Sequence, residues 1–488
     1  MTTTTRAPLF ARATATWAVV ALLLGSGPAC TDGQSTRQPP GSAAPPTTFT
    51  PDEVLEDLEE RTFRFFWETT NQANGLVPDR YPTPSFSSIA AVGFGLTAYG
   101  IGVERGYITR EEARARTLTT LRFFKNAPQG KEAAGVTGYS GFFYHFLDMK
   151  SGTRFADTEL STVDTALLLG GVLFSQSYFD QENAEETEIR QLAEEIYGAV
   201  DWTWAQARPP AISHGWRPEK GFIQYDWLGY NEAMLVYILA LGSPTHPVDP
   251  AAWAAWVAPY EGQWGVRYEQ EHLFFAPHFG HQYTHVWVDF RGIQDEFMRG
   301  KGIDYFENSR RATYAQRGYA MANPDGWKEY GEDVWGLTAC DGPANTEQDY
   351  NGRRRTFRSY SARGPGENDD GTIAPTAAAS SIPFAPDIAI AATVEMRNRF
   401  GQHIYGQYGF FDAFNPSFEF DVPLANGKVV PGFGWVGGDY LGIDQGPILA
   451  MIENHRTQLV WKVMQRNPHI RTGLTRAGFS GGWLGAAK

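Results

Sequence analysis

The chain has 488 residues, of which 42% are hydrophobic and 14% aromatic, and it carries a formal net charge of −14. A chain of this length can bury a large core, and its excess of acidic side chains excludes a surface built to hold nucleic acid or another polyanion. A neutral substrate is therefore expected. The high aromatic content suits sugar recognition, although it suits ordinary core packing as well.

The N-terminus has the pattern of a cleaved export signal. Arg6 and Arg12 precede a short apolar run, and small residues lead from that run to Cys30. We expect residues 1–29 to be a signal peptide and Cys30 to be the acylated residue of a bacterial lipoprotein, with simple secretion as the alternative. Residues 30–50 are rich in Pro, Ser and Thr and are predicted to form the anchor and a flexible tether. The expected location is the periplasm or the outer membrane, with the lipid as the only membrane contact.

Removal of that signal changes the charge and the cysteine count. The mature chain keeps 39 of the 41 basic and all 55 acidic side chains, a formal charge of −16. Cys340 becomes the only cysteine besides the acylated one, which excludes an intramolecular disulfide. No Cys/His cluster indicates zinc, and no glycine-rich loop has the context of a nucleotide site. We therefore predict a monomer without metal or cofactor.

From residue 51 onward, helical patterns recur with few strand signals. Clear start signals such as Thr109 followed by Glu112 open several of them. About a dozen helices, paired and joined by Gly-, Pro- and aromatic-rich loops, predict a single all-α domain over residues 51–488, a toroid of helical hairpins. The predicted helices are Pro51–Glu68, Ile89–Glu104, Arg110–Lys125, Ser161–Asp180, Ala184–Ala207, Asn231–Leu241, Asp249–Tyr260, Tyr305–Met321, Asp387–Arg399, Tyr440–Glu453 and Arg456–Gln465.

The first acidic cluster precedes the apolar helix that starts near Ser161. Ser161 and Asp164 have the spacing of a variant capping box, which accounts for both without any substrate. Capping does not account for Asp157 and Glu159. In a helical toroid the loops before the helices converge on one mouth, so these acids are candidates for binding a sugar.

A second candidate is Glu232, at the start of a long apolar helix signal. It follows Trp227 and Tyr230, whose rings are candidates for holding a sugar. A carboxyl group half removed from water has a raised pKa, as a general acid near neutral pH requires. The competing interpretation is that Glu232 only complements the helix dipole.

The third cluster lies in a glycine-rich stretch near the C-terminus. Asp444 precedes an apolar helical run and is a candidate for activating water, while helix capping by Asp439 or Asp444 is the alternative. Trp435 and Asp439 in the same stretch, and Asp412 in the aromatic stretch before it, are candidates for a sugar subsite.

The segment Cys340–Thr376 is long and polar, and it fits no helix. It is predicted to be either disordered or a loop over the working face. Its basic run Arg353–Arg355 is predicted to be a solvated face, with a phosphate or uronate clamp as the alternative.

Four ordered blocks of this sequence resemble bacterial glucoamylase-like proteins of glycoside hydrolase family 144, and the similarity extends from about Pro51 to Gly482. They are G-F-G-L-T-A-Y-G-I-G-V-E-R-G (93–106), E-L-S-T-V-D-T-A-L-L-L-G-G (159–171), Y-N-E-A-M-L-V-Y-I-L-A-L-G-S-P-T-H-P (230–247) and G-I-D-Q-G-P-I-L-A-M-I-E-N-H-R (442–456). The resemblance implies an (α/α)6 toroid, activity on linear β-1,2-glucan by endo-cleavage or by release of sophorose from an end, and inversion at the anomeric carbon.

The resemblance also implies residue roles. Glu232 matches the general acid of the family, and Asp444 is the match for the base, acting on water through a substrate hydroxyl. Glu159 and Asp164 match acids that bind substrate or assist catalysis.

The sequence thus predicts an endo-β-1,2-glucanase. The alternatives are an exo-acting, sophorose-releasing enzyme, another neutral-glucan hydrolase or transglycosylase of the same fold, a polysaccharide lyase, and a non-catalytic glycan-binding lipoprotein.

Overall fold

The computed structural model describes residues 48–485, and its helices alternate along the chain between an inner and an outer ring. The predicted signal peptide, Cys30 and most of the predicted tether lie outside the described residues. The α-helices are α1 Pro51–Thr69, α2 Ile89–Glu104, α3 Arg110–Asn126, α4 Thr162–Tyr178, α5 Ala184–Gly198, α6 Met234–Gly242, α7 Ala251–Val257, α8 Tyr260–Gln263, α9 Tyr283–Trp287, α10 Glu296–Lys301, α11 Tyr305–Ala322, α12 Pro375–Ala379, α13 Pro386–Ile404, α14 Gly442–Arg456, α15 Leu459–Met464 and α16 Pro468–Arg476.

The inner ring consists of α2, α4, α6, α9, α12 and α14. The four longest of these are buried on all sides because their sequences are apolar or small throughout. Helix α2 packs against α4 and α14, and α14 also packs against α9 and α12. The outer helices α1, α3, α5, α11 and α13 bury only one face. The alternation of outer and inner helices confirms the predicted all-α (α/α)6 toroid.

Short antiparallel strands join the helices and do not form a larger sheet. They are β1 Arg80–Tyr81, β2 Ser87–Ser88, β3 Gly138–Tyr139, β4 Phe142–Phe143, β5 Phe146–Leu147, β6 Leu160–Ser161, β7 Gly215–Arg217, β8 Gly221–Phe222, β9 Trp264–Arg267, β10 Gln270–Leu273, β11 Ala339–Asp341, β12 Thr346–Tyr350, β13 Arg353–Phe357, β14 Tyr360–Ala362, β15 Tyr405–Gly406, β16 Gly409–Phe410, β17 Phe414–Asn415, β18 Lys428–Val430, β19 Gly434–Val436 and β20 Tyr440–Leu441. The sequence patterns gave little sign of them because most contain only two or three residues.

Several predicted helices differ from the observed ones at a boundary, and two of these differences have a visible local cause. Helix α5 ends at Gly198 instead of Ala207, because the Asp201 carboxylate accepts a hydrogen bond from the backbone N–H of Trp204 and holds a turn there. Helix α6 begins at Met234 instead of Asn231, because the Asn231 side chain accepts from the N–H of Ala233. Glu232 therefore lies in a turn and not in the helix.

Of the two alternatives predicted for Cys340–Thr376, disorder is wrong, because the segment contains paired strands. Its strands form two antiparallel pairs, β11 with β14 and β12 with β13. Arg363 is fully buried beneath them and makes a bidentate ion pair with Asp370 at 2.7 and 2.9 Å. In the basic run, Arg353 and Arg354 are exposed, as a solvated face requires, whereas Arg355 pairs with Asp325 at 2.8 Å.

Within residues 48–485, no helix combines the length and the apolar content that a bilayer crossing requires. The one cysteine in this range, Cys340, is a buried free thiol.

Candidate active site

The N-terminal ends of the inner helices are fixed by short strand pairs. Strand β2 leads directly into α2 and pairs with β5, and β6 leads into α4 and pairs with β7. Strand β20 leads into α14 and pairs with β1. The loops that carry the predicted acidic residues are therefore held at defined positions before three inner helices.

Glu159 and Asp164 are joined through a residue that the sequence did not single out, His145. The Nδ1 atom of His145 lies 3.0 Å from Oε1 of Glu159, and its Nε2 lies 3.4 Å from Oδ1 of Asp164. Burial lowers the pKa of His145, but the two carboxylates outweigh this effect and raise it to about 9. The imidazole is therefore a cation at neutral pH, and it holds both acids in place.

Glu159 has a second cationic partner, Arg217, which lies 3.1 Å from its Oε2 atom. Burial raises the pKa of Glu159, yet the hydrogen bonds from His145 and Arg217 lower it to about 2 overall. Glu159 is thus ionised at any working pH and suits substrate binding rather than proton donation.

Ser161 is the N-cap of α4, as the sequence predicted. The Ser161 hydroxyl accepts from the N–H of Asp164 and donates to its carboxylate. The same carboxylate also contacts His145, so Asp164 bonds the helix cap and takes part in the acidic cluster.

Glu232 has the environment of a general acid. Its Oε2 atom is buried and has no hydrogen-bond partner among residues 48–485. Burial, reinforced by the negative charge of Asp164, raises the pKa of Glu232 to about 7. A large fraction of the Glu232 carboxyl group is therefore protonated near neutral pH. Its Oε2 atom forms no hydrogen bond with the described residues.

Asp412 and Asp444 form a buried pair of carboxyl groups. They are 3% and 5% exposed, and each contacts the other through a side-chain hydrogen bond. Burial and the nearby charge of Asp341 raise the pKa of Asp412 to about 7. Burial and the charge of Asp412 raise the pKa of Asp444 well above its ordinary value. Burial and the mutual repulsion of two neighbouring carboxylates both disfavour full ionisation of the pair.

Arg80 neutralises the acids beside this pair. Its guanidinium lies 2.8 Å from Asp341, 3.2 Å from Asp79 and 3.8 Å from Asp439. Asp439 accepts the backbone N–H of Thr83 at 3.0 Å and is not a helix cap. The predicted capping of α14 by an aspartate is wrong, because its N-cap residue is Leu441.

The hydroxyl group of Tyr283 interacts electrostatically with both groups of acids. Burial raises the pKa of its hydroxyl, and the charges of Asp444, Glu232 and Asp164 raise it further. The phenol is therefore within electrostatic range of all three carboxyl groups, and it donates a hydrogen bond to the carbonyl of Ile443 at 3.2 Å. Glu232 and Asp444 accordingly belong to one site.

The aromatic residues that were predicted to bind the sugar are largely covered by other side chains. Tyr230 and Trp435 are 1% and 0% exposed, and their burial argues against the predicted sugar-stacking role because a covered ring cannot contact a pyranose. One face of Trp227 is covered by His214, with ring centroids 3.6 Å apart. Asp157 is exposed in the loop before β6, apart from the His145 contacts.

Sequence reasoning missed several residues of the site. Tyr225 and Tyr360 expose large parts of their rings, 53% and 39%, and the charges of Asp341 and Asp412 act on the Tyr360 hydroxyl. Phe146 stacks on His145 at 3.9 Å. None of these residues has a local sequence signal, because each is brought to the site by a short strand or loop from elsewhere in the chain.

Comparison with known proteins places the chain in a family. Residues 224–468 match the Glycoamylase family model, described as "Putative glucoamylase". A Bacteroides uniformis structure named "putative glucoamylase" is 31% identical, with a TM-score of 0.77 over 90% of this chain and all of that one. The structure of an endo-beta-1,2-glucanase from Chitinophaga pinensis, in complex with sophorotriose and glucose, is 28% identical, with a TM-score of 0.76 over 90% of this chain and all of that one.

A curated relative is longer. The exo beta-1,2-glucooligosaccharide sophorohydrolase (non-reducing end) of Parabacteroides distasonis is 29% identical in an alignment of 455 positions that covers 88% of this chain and 58% of that protein. Together with the matched family model and the fold, these similarities establish that the chain belongs to the glucoamylase-like family that its sequence motifs indicate, glycoside hydrolase family 144.

Proposed function

We propose that this protein is a glycoside hydrolase that cleaves β-1,2-glucan, with Glu232 as the general acid. The observation that carries the proposal is the unpartnered, buried oxygen of Glu232, whose carboxyl has a pKa of about 7. Such a group donates a proton to a glycosidic oxygen near neutral pH. The names of the P. distasonis and C. pinensis proteins support the choice of glucan.

The base side of the reaction is Asp444, which lies in the first turn of α14. It is within electrostatic range of Tyr283, as Glu232 is, which supports a role for both carboxyl groups in one reaction. Two carboxyl groups on either side of a glycosidic bond supply the acid and base of an inverting hydrolysis. Glu159 and Asp164, held by His145, bind the sugar hydroxyls.

Endo-cleavage is the favoured mode. The C. pinensis endo-glucanase is matched over its whole length, whereas the match to the P. distasonis exo enzyme leaves 42% of that protein uncovered. Release of sophorose from a chain end is the second candidate, and the same substrate tests both.

The testing experiment is incubation of the purified protein with linear β-1,2-glucan, followed by chromatography of the products. A ladder of oligosaccharides supports endo-cleavage, sophorose alone supports the exo alternative, and an unsaturated product absorbing in the ultraviolet identifies a lyase. No product from any neutral glucan overturns the proposal and leaves a glycan-binding protein.

The matched variants are Glu232→Gln and Glu261→Gln. We expect the first to lower kcat by about 10²–10⁴-fold with unchanged folding. The second removes an exposed carboxylate that pairs with Lys301 on the surface, and it keeps full activity. Full activity of Glu232→Gln overturns the assignment of the acid.

We further propose that the protein is exported and anchored through a lipid on Cys30. The support is the sequence pattern of residues 1–30 alone. Expression of the full chain and of Cys30→Ser in a Gram-negative host, with membrane fractionation and mass measurement of the N-terminal peptide, tests it. A soluble wild-type protein without a lipid mass rejects the anchor.

A further inference from the structure

We propose that Asp412 is the positioning residue of Asp444, and that the two carboxyl groups share a single proton and accept the proton of the attacking water as one unit. This inference rests on the proposed hydrolysis for its catalytic part. The sharing of the proton is a property of the folded protein and does not depend on any substrate.

The geometry of the pair carries the inference. Asp412 lies in the loop between β16 and β17, and its Oδ2 atom accepts the backbone N–H of Asp341 at 2.8 Å. Its own N–H donates to the carbonyl of Asp439 at 3.0 Å. These two bonds fix the carboxyl of Asp412 next to Asp444, which itself follows the paired strand β20.

The remaining oxygens of the pair need a proton. Oδ1 of Asp412 and Oδ2 of Asp444 are both buried, and neither has a donor elsewhere in the protein. Carboxylate oxygens only accept hydrogen bonds, so these two oxygens can form a bond with each other only if one of the carboxyl groups is protonated. The arrangement matches the general case of two neighbouring carboxyl groups that cannot both ionise.

The charged surroundings oppose full ionisation of the pair. Arg80 stabilises negative charge on Asp412, whereas the negative charge of Asp341 acts on both members of the pair. The ionisable groups that face the pair are Asp79, Arg80, Tyr283, Cys340, Asp341 and Tyr360. Among them only Arg80 is a cation, and it is shared with Asp79 and Asp341.

Every proton in the proposed hydrolysis step has a donor and an acceptor. Before the reaction the pair holds one proton and Glu232 holds one. As water attacks the anomeric carbon, its O–H bond breaks and its proton joins the pair, which then holds two. The bond from the anomeric carbon to the glycosidic oxygen breaks, and that oxygen takes the proton of Glu232. Transfer of one proton from the pair to Glu232 through solvent restores the starting state.

The first test counts protons without any substrate. Infrared difference spectra at pH 7 compare Glu232→Gln with the double variants that also carry Asp412→Asn or Asp444→Asn. We expect each added substitution to remove the carbonyl band of one protonated carboxyl group, because the remaining partner then ionises beside an amide donor. If neither substitution removes a band, both groups are ionised and the inference is rejected. The Asp444→Asn variant gives the same reading if Asp412→Asn fails to fold.

The second test uses kinetics on β-1,2-glucan. We expect Asp412→Asn and Asp444→Asn each to lower kcat by about 10²-fold or more, the double variant to lose no further activity, and Asp412→Glu to recover part of the loss. In Asp412→Asn, the pH at which kcat falls on the acidic side of the profile should shift. A raised KM with unchanged kcat and an unchanged acid limb would make Asp412 a sugar ligand and overturn its positioning role. If the wild type hydrolyses no glucan, the proposed function fails while the infrared result still decides whether the proton is shared.

Discussion

The Nδ1 atom of His145 lies 3.0 Å from Oε1 of Glu159, in a loop pair that also brings Nε2 of the same ring to Asp164. The charged imidazole therefore fixes two acids that the sequence separates from it by 14 and 19 positions. This cation joins an acid in the first turn of α4 and an acid in the preceding loop into one cluster.

Replacement of His145 by Gln should weaken both substrate binding and stability. We expect kcat/KM to fall by about 10²-fold, because the two carboxylates lose their common anchor. The loss of stability should be about 1.5–3 kcal/mol at pH 6, the usual contribution of hydrogen bonds to charged groups.

The pH dependence of that loss follows from the raised pKa of His145. The stabilisation is fully present below pH 6.5, the ordinary value, and it disappears as the pH rises through about 9. Thermal unfolding of wild type and His145→Gln from pH 6 to 10 should therefore show a difference in Tm that shrinks with rising pH. A constant difference would show that the imidazole is neutral in the folded protein.

The raised pKa of Glu232 predicts how kcat falls on the alkaline side of the pH profile. Only the protonated acid donates to the leaving oxygen, so kcat should decline as the pH rises through about 7. Burial is the main cause of the raised pKa, and the charge of Asp164 adds to it. In Asp164→Asn the limb should therefore shift to lower pH, whatever the loss in absolute rate.

The measurement is kcat at saturating β-1,2-glucan from pH 4 to 9 for both proteins. Glu261→Gln serves as the control, because its carboxylate is on the surface. An alkaline limb that stays in place in Asp164→Asn would mean that another group than Glu232 sets it.

Much of the toroid could be predicted from the sequence, and the reason is physical. Helix α2 was predicted with its correct bounds because an apolar run between a serine N-cap and a charged end is a local signal. The acids were proposed from their positions before apolar helices and from the family resemblance, and their roles stay predictions. Tyr230 and Trp435 were misjudged since burial depends on packing partners distant in the chain. No local sequence pattern predicts the roles of His145, Arg217 and Tyr283, because their contacts form between segments that are distant in the chain.

The buried ion pair of Arg363 and Asp370 should be critical for the wall of the site that β11 and β14 build. Replacement of Arg363 by Met leaves Asp370 as an unpaired charge in the interior, which costs about 3–5 kcal/mol. The free energy of unfolding in urea measures this loss.

Arg354→Met, on the exposed face of β13, should leave the free energy of unfolding unchanged. Arg363→Met combined with Asp370→Leu should recover much of the stability, and a failure to recover would place the main role of Arg363 in its bond to the Cys340 carbonyl.

A second buried acid, Glu59 on α1, predicts how stability changes with pH. Glu59 has no exposed surface, and its Oε2 atom lies 3.0 Å from Arg456 and 3.4 Å from Arg105. Burial and the charge of Glu453 raise the pKa of Glu59 to about 8, although the two arginines oppose the shift. The folded state therefore binds a proton between pH 4.5 and 8 that the unfolded chain has released. Folding stability must fall as the pH rises through this window, because the proton is lost from the state that holds it more tightly.

Replacement of Glu59 by Gln removes the titrating group and keeps its shape. We expect the Tm of the wild type to fall between pH 5 and 8 more steeply than that of Glu59→Gln. Glu56→Gln, which removes a carboxylate that is 60% exposed on the same helix and also pairs with Arg456, should follow the wild type. Parallel curves for Glu59→Gln and wild type would mean that Glu59 is already ionised at pH 5. The two arginines would then outweigh burial, and the contact between α1 and α14 would be an ordinary ion pair.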